Sequence, residues 1–130
     1  MSNFEIDVLR EFPDGGSVTM LNLVKFREIS SDGNGSGRDA YKRYAEMVTP
    51  IMDEVGGRVL WAGIIQHPAL QEGGDVDWDW SVLVEYPSRS AFLELVTSPL
   101  YATANRDRRN GVEKHIIMAS STVTGPLEVT

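Results

Sequence analysis

Val18-Thr19-Met20-Leu21-Asn22-Leu23-Val24-Lys25-Phe26 is apolar on both of its faces. Read with the two-residue period of a strand, Met20, Val24 and Phe26 alternate against Leu21 and Leu23. A strand that is apolar on both sides is covered on both sides, so the stretch predicts a central strand rather than a solvent-facing ribbon. Asn22 interrupts it. A buried amide left without partners costs about 1–3 kcal/mol, so Asn22 is the first residue whose surroundings need a reason.

Working outward, Phe4–Phe12 carries two patterns at once. Phe4, Ile6 and Val8 alternate, while Glu5, Val8, Leu9 and Phe12 form a helical stripe, and a short helix packed as an N-terminal arm is the expectation. Pro13-Asp14-Gly15-Gly16 is a turn. After the strand, Ser30–Gly37 mixes glycines with Ser, Asp and Asn and predicts a flexible loop. Arg38–Val55 holds Tyr41, Tyr44, Ala45, Val48, Ile51, Met52 and Val55 at helical spacing. Asp39 complements the dipole at its start, Pro50 predicts a kink on its polar side, and Gly56-Gly57 ends it.

A second strand is predicted over Arg58–His67, with Val59, Trp61, Gly63 and Ile65 on one face and Leu60, Ala62 and Ile64 on the other. Pro68–Asp77 connects it to a third, Trp78–Tyr86. Ser88 then caps a helix running through Thr97, and Ser98-Pro99 opens another that ends near Arg109-Asn110-Gly111. Val112–Thr122 is the last strand. The order β-α-β-β-α-β is that of an α+β, ferredoxin-like fold with a four-stranded antiparallel sheet. It divides the chain into an arm (1–17), the domain (18–122) and a tail (123–130).

Two main helices can cover only one face of such a sheet. The strands are apolar on both, so the remaining face needs another cover, and a second copy of the same sheet is the simplest. The expectation is a homodimer with its sheets packed face to face in a barrel, each half keeping a cavity between sheet and partner.

Composition excludes several functions. The 130 residues suit one domain with its own core. A formal charge of −7, from 19 acidic and 12 basic residues, argues against nucleic-acid or anionic-membrane partners. No apolar run approaches the ~18–20 residues of a membrane span. With no cysteine there are no disulfides or thiolate metal sites, and no secretory signal opens the chain, so the expected address is cytoplasmic.

The stretches Val18–Arg27, Asp39-Ala40-Tyr41 with Tyr44-Ala45-Glu46, and Gly56–Gly63 resemble an uncharacterised family of the dimeric α/β-barrel superfamily. So do Trp78-Asp79, Tyr86-Pro87-Ser88-Arg89, Phe92 and Tyr101. The resemblance runs from about Val18 to Ala119. It implies the fold and a cavity, not a reaction: the superfamily spans cofactor-independent monooxygenases, muconolactone isomerases, haem-dependent chlorite dismutases and stress-response proteins. Family members tend to carry His-Arg where this chain has Asn105-Arg106. Arg106 keeps the cationic role that the resemblance implies, and the imidazole is lost.

The candidate chemistry follows from those residues. Asn22 is either a structural amide or a donor aimed at a developing enolate or phenolate, with Arg106 beside it as the second catalytic candidate. Trp61 stands two residues from Gly63, and a large ring beside a missing side chain can form a slot for a flat ligand. Tyr41, Tyr101, Trp78 and His67 complete the ligand-binding set. The two histidines, His67 and His115, lack metal-site spacing, and no haem helix or nucleotide loop is present, so no cofactor and no metal is expected. Of the two, His67 is the better general base, because His115 lies beside a cluster of cations. Asp77 and Asp79 read as solvent-facing or as arginine partners. The resulting expectation is a small-molecule-binding dimer, acting as a cofactor-independent oxygenase or isomerase on a small aromatic or enolisable anion. The alternative is a ligand-binding or stress-response dimer without a base.

Overall fold

The computed structural model describes residues 4–11 and 15–123. The elements are α1 (Ile6–Glu11), β1 (Val18–Phe26), α2 (Gly37–Glu54), β2 (Arg58–Ile64), β3 (Trp80–Tyr86), α3 (Arg89–Val96), α4 (Pro99–Gly111) and β4 (Val112–Ser120). The four strands form one antiparallel sheet in the order β2-β3-β1-β4, so β1 is central, as its two apolar faces require. The chain is an α+β protein with the ferredoxin-like arrangement. Of Pro13-Asp14-Gly15-Gly16, the first two lie outside the described residues, as does Gly125-Pro126 in the tail.

The two faces of β1 fare differently. Val18, Met20, Asn22 and Val24 are buried under the helices, with Val24 fully enclosed. They join Met52, Val84, Tyr86, Phe92 and Leu95 in the core. The intervening Thr19, Leu21 and Leu23 are only half-buried. Across the ladder Leu21 stands opposite Leu83 and Met118, and Leu23 opposite Ile116, so this second face is equally apolar.

The helices begin where their side chains can satisfy the orphan amides of a first turn. Ser36 Oγ accepts from the Asp39 N–H (3.0 Å) and the Asp39 carboxylate accepts from the Ser36 N–H (3.1 Å), a complete capping box. Ser88 caps α3 through the Ala91 N–H, and Ser98, followed by Pro99, caps α4 through the Leu100 N–H. α2 runs through Pro50, which lies on its exposed side where the missing N–H is tolerated.

Gly37 and Gly111 lock the helices together. The Gly37 N–H donates to the Arg27 carbonyl (3.1 Å), and the Arg27 N–H donates to the Gly111 carbonyl (2.8 Å). A Cβ on Gly37 would collide with the carbonyls of Arg27 and Gly111, and one on Gly111 with the carbonyl of Gly37. Both positions therefore demand glycine because backbone passes against backbone. This crossing sets the height of the last turn of α4 and the first residues of β4 over the sheet.

Two sequence expectations are corrected. The register of β2 shifts between Val59 and Trp61, so a bulge at Leu60 breaks the alternation. Val59, Ala62 and Ile64 stand opposite Val84, Val82 and Trp80 on the helix side; Trp61 and Gly63 stand opposite Leu83 and Ser81 on the other. The strand also stops at Ile64, and β3 starts at Trp80 rather than Trp78. Secondly, the cavities lie between sheet and helices rather than on the bare face. No described element covers that face. It carries Leu21, Leu23, Leu83, Ile116 and Met118, and Trp61 at 56% exposure. Among the described residues no helix is long and apolar enough to cross a membrane.

Candidate functional site

Two chambers open on the helix side of the sheet. The inner one, about 180 Å³, lies between α2 and the strands; Asn22, Tyr41, Tyr44, Trp80 and Tyr101 are among its walls. The outer one, about 630 Å³, lies beneath the arm and against β4, where Phe4, Val8, Arg89, Arg108 and His115 face it. Phe4, Met20, Phe92 and Ile117 line both and so form the partition.

A chain of hydrogen bonds passes from one chamber to the other. The Asn22 amide nitrogen donates to the Met20 carbonyl (3.2 Å) and the Val82 carbonyl (3.4 Å). Its oxygen is left to accept, and it faces His115 Nε2 at 2.9 Å. On the far side of the ring, Arg108 donates to His115 Nδ1 at 3.1 Å. A guanidinium can only donate, so Nδ1 is the bare nitrogen and Nε2 carries the proton. The imidazole is thus neutral, in one tautomer, bracketed on both sides. Burial, reinforced by the Arg108 charge, pulls its pKa down to about 3.

Arg108 is positioned in turn. Its Nε donates to the side-chain oxygen of buried Asn105, and its guanidinium lies over the Phe4 ring, 5.6 Å from the centroid. Asn105, buried on α4, thus orients an arginine three residues on.

The inner chamber is walled by tyrosines. The hydroxyls of Tyr44 and Tyr101 are 3.0 Å apart, and Tyr41 packs on both Phe26 and Tyr44 with ring centroids at 5.3 Å. Burial, above all, pushes Tyr41 up to about 12 and also raises Tyr44 and Tyr101. At neutral pH these hydroxyls hold their protons and serve as hydrogen-bond partners rather than bases.

The residues singled out in the sequence are only partly brought together. Asn22, Tyr41 and Tyr101 meet at the inner chamber. Arg106 is exposed on α4 and lines neither chamber, whereas Arg108 does. Trp61 lies on the bare face, and its ring lies over Gly63, filling the slot expected for a flat ligand. Trp78 is half-buried under the Lys114 ammonium, 4.6 Å from its ring centroid. His67 is exposed, its Nδ1 3.1 Å from the Pro68 carbonyl. Asp77 pairs with Lys25 at 2.9 Å, and Asp79 accepts from the Phe26 N–H, so lysine and backbone take the place expected of arginine.

Arg108, Tyr44 and Trp80 are site residues that pattern reasoning did not single out, and His115, ranked behind His67 as a base, is the histidine that enters the site. The available signal was alternation along β4, which puts His115 on the same side as Ile117, opposite Val24. Among the described residues no three His, Asp or Glu side chains gather as a metal site.

A family model described as "Domain of unknown function (DUF1330)" matches residues 35–122. A solved protein of unknown function from Rhodopseudomonas palustris is 28% identical, with a TM-score of 0.86 and 96% of each chain covered. A dimeric protein of unknown function and ferredoxin-like fold from Bacteroides fragilis is 12% identical, with a TM-score of 0.56 over 85% of this chain and 100% of that one. A cofactor-independent oxygenase from Streptomyces nogalater is 15% identical, with a TM-score of 0.52 over 88% and 100%. At these last two identities the likeness is one of fold. No curated protein matches the sequence.

Proposed function

The chain belongs to the DUF1330 family, and from that premise we propose that it is a homodimeric small-molecule-binding protein whose ligand enters the helix side of the sheet. The observation that carries this reading is the pair of chambers walled by apolar and aromatic side chains and crossed by one polar relay, Asn22–His115–Arg108. A few convergent polar groups in a mostly apolar cavity are what orient a small ligand. The flat part of the ligand belongs in the inner chamber, against Tyr41 and Trp80, with an oxygen towards Tyr44 and Tyr101.

The dimer rests on the bare face. Trp61, Leu83, Leu21, Ile116 and Met118 present a contiguous apolar patch that a monomer rarely leaves open. Two copies related by a two-fold axis bring the same patch together and bury upwards of ~1,200 Å². The Bacteroides fragilis protein of this fold is described as dimeric. Light scattering at micromolar concentration tests this, and a well-folded 14.4 kDa monomer rejects it. A crystallographic fragment screen tests the pocket, with fragments expected in the inner chamber beside Tyr41 and Trp80; hits confined to the outer surface reject it.

One observation favours a second reading, a cofactor-independent oxygenase or isomerase. His115 is a neutral imidazole inside the site, and its bare Nδ1 is held by Arg108 alone. A substrate anion that drew Arg108 away would leave Nδ1 free to take a proton. Under this reading His115→Gln abolishes turnover and spares affinity; under simple binding it changes affinity alone.

A further inference from the structure

Arg108 differs from the other paired cations in its company. Arg43 meets Asp32 and Asp107, Lys25 meets Asp77 and Asp79, and Arg58 meets Glu85. Arg108 is half-buried, and its partners among the described residues are all neutral: Asn105, His115, the Tyr101 hydroxyl and the face of Phe4. No described carboxylate forms an ion pair with it. Glu5, which also lines the outer chamber, is exposed and makes none.

A guanidinium withdrawn from water and given only neutral dipoles is under-compensated, and an anion is its natural complement. It has five N–H donors; Asn105, His115 and the Tyr101 hydroxyl take up to three of them, which leaves part of the fork for a ligand. Arg89, also half-buried, supplies a second guanidinium to the same chamber. The remaining walls, Val8, Leu9, Phe92, Ile117 and Ala119, are apolar. Among the described residues that line this chamber, the one carboxylate is that of exposed Glu5, and it makes no ion pair with Arg108.

We propose that the outer chamber binds the carboxylate of an amphipathic organic acid, with Arg108 as its anchor and Phe4 of the N-terminal arm as the roof that separates this head from an apolar tail in the inner chamber. The inference rests on the ligand-binding reading above and adds the ligand's class and direction. Arg108 of the outer chamber hydrogen-bonds Tyr101 of the inner one, and Met20, Phe92 and Ile117 line both, so the two sites adjoin and an acid with a short flexible linker that passes between them would place its ring beside Tyr41 and its carboxylate at Arg108. Phe4 lies at centroid distances of 6.1 Å from Phe92 and 5.8 Å from Tyr101, edge-on to both, while its face supports the guanidinium. Phe4 lies outside the segment that the family model matches.

The test compares 4-phenylbutyrate with 4-phenyl-1-butanol, the same tail with and without the charge, by calorimetric titration of the full chain. The acid is expected to bind at least 10-fold tighter, and raising salt from 20 to 500 mM is expected to weaken the acid alone. Arg108→Gln weakens the acid at least 10-fold more than it weakens the alcohol and so removes the preference; Arg109→Gln, an exposed neighbour, changes neither. If Arg108→Gln does not fold, Arg108→Lys takes its place and keeps only part of the preference, since an ammonium lacks the planar fork. Equal binding of acid and alcohol, or a preference that survives the Arg108 substitution, overturns the inference. In both of those cases the alcohol still perturbs Trp80 fluorescence, so the ligand-binding reading stands. If neither compound binds at 10 mM, the ligand-binding reading fails with it.

Discussion

One sheet presents two apolar faces, and they have opposite fates. The even-numbered face of β1, Met20, Asn22 and Val24, disappears beneath the helices, and the polar groups of the site gather on that side of the sheet. The odd-numbered face, Leu21 and Leu23 with Leu83, Trp61 and Ile116 around them, is nearly as apolar and carries no relay and no chamber wall apart from Ile116 at the β4 edge. Hydrophobicity alone does not make a site. Helices crossing a sheet at an angle leave gaps that side chains must fill, and where they do not, a cavity with converging polar groups remains. In the proposed dimer that face would meet a copy of itself and close without such gaps.

The most severe way to break the covered face is at the glycine crossing. Gly111→Val should cost at least ~3 kcal/mol, because its side chain meets the backbone carbonyl of Gly37, which cannot move aside. Urea denaturation followed by circular dichroism measures this, and a loss under 1 kcal/mol would mean the helices can separate cheaply. Leu83→Arg probes the other face. Its charge should raise the dimer dissociation constant at least 100-fold, about 2.7 kcal/mol, while the inner chamber and its ligands are unaffected. Loss of ligand binding in the resulting monomer would show that the faces are coupled.

A smaller effect comes from His115. Its folded pKa is about 3 against about 6.5 in the unfolded chain. The unfolded state therefore takes up the proton first, and stability falls as pH drops from 6.5 towards 3, by up to about 1.4 kcal/mol per unit. Between pH 6.5 and 5 the carboxylates have yet to titrate, so up to about 2 kcal/mol of the loss in that window belongs to His115 and its burial beside Arg108. His115→Gln should flatten the profile there; an unchanged slope would mean that the imidazole is hydrated. Ser36→Ala should have the smallest effect, about 1 kcal/mol, by removing half the capping box of α2. The loss should be the same with and without the dimer, since the cap lies far from the bare face.

The order of elements, the central position of β1, the caps at Ser88 and Ser98 and the amphipathic stripe of α2 were all legible in the sequence. Each is a local matter of period and terminus chemistry, repeated over enough residues to be read. That two helices would leave one face of the sheet bare was legible too, since it follows from counting faces. The bulge at Leu60 was not, because one extra residue reverses the facing of Trp61 without altering composition. Nor was the choice between Arg106 and Arg108. Two residues along a helix is a turn of roughly 200°, so which guanidinium points inward depends on how α4 rolls against α2 and β4, and the Gly37–Gly111 contact decides that. Asn22 stood out because a polar residue in an apolar strand breaks a pattern. Its partner His115 comes from a strand 93 positions later, and only the antiparallel register of β1 with β4 brings their side chains within a hydrogen bond of each other.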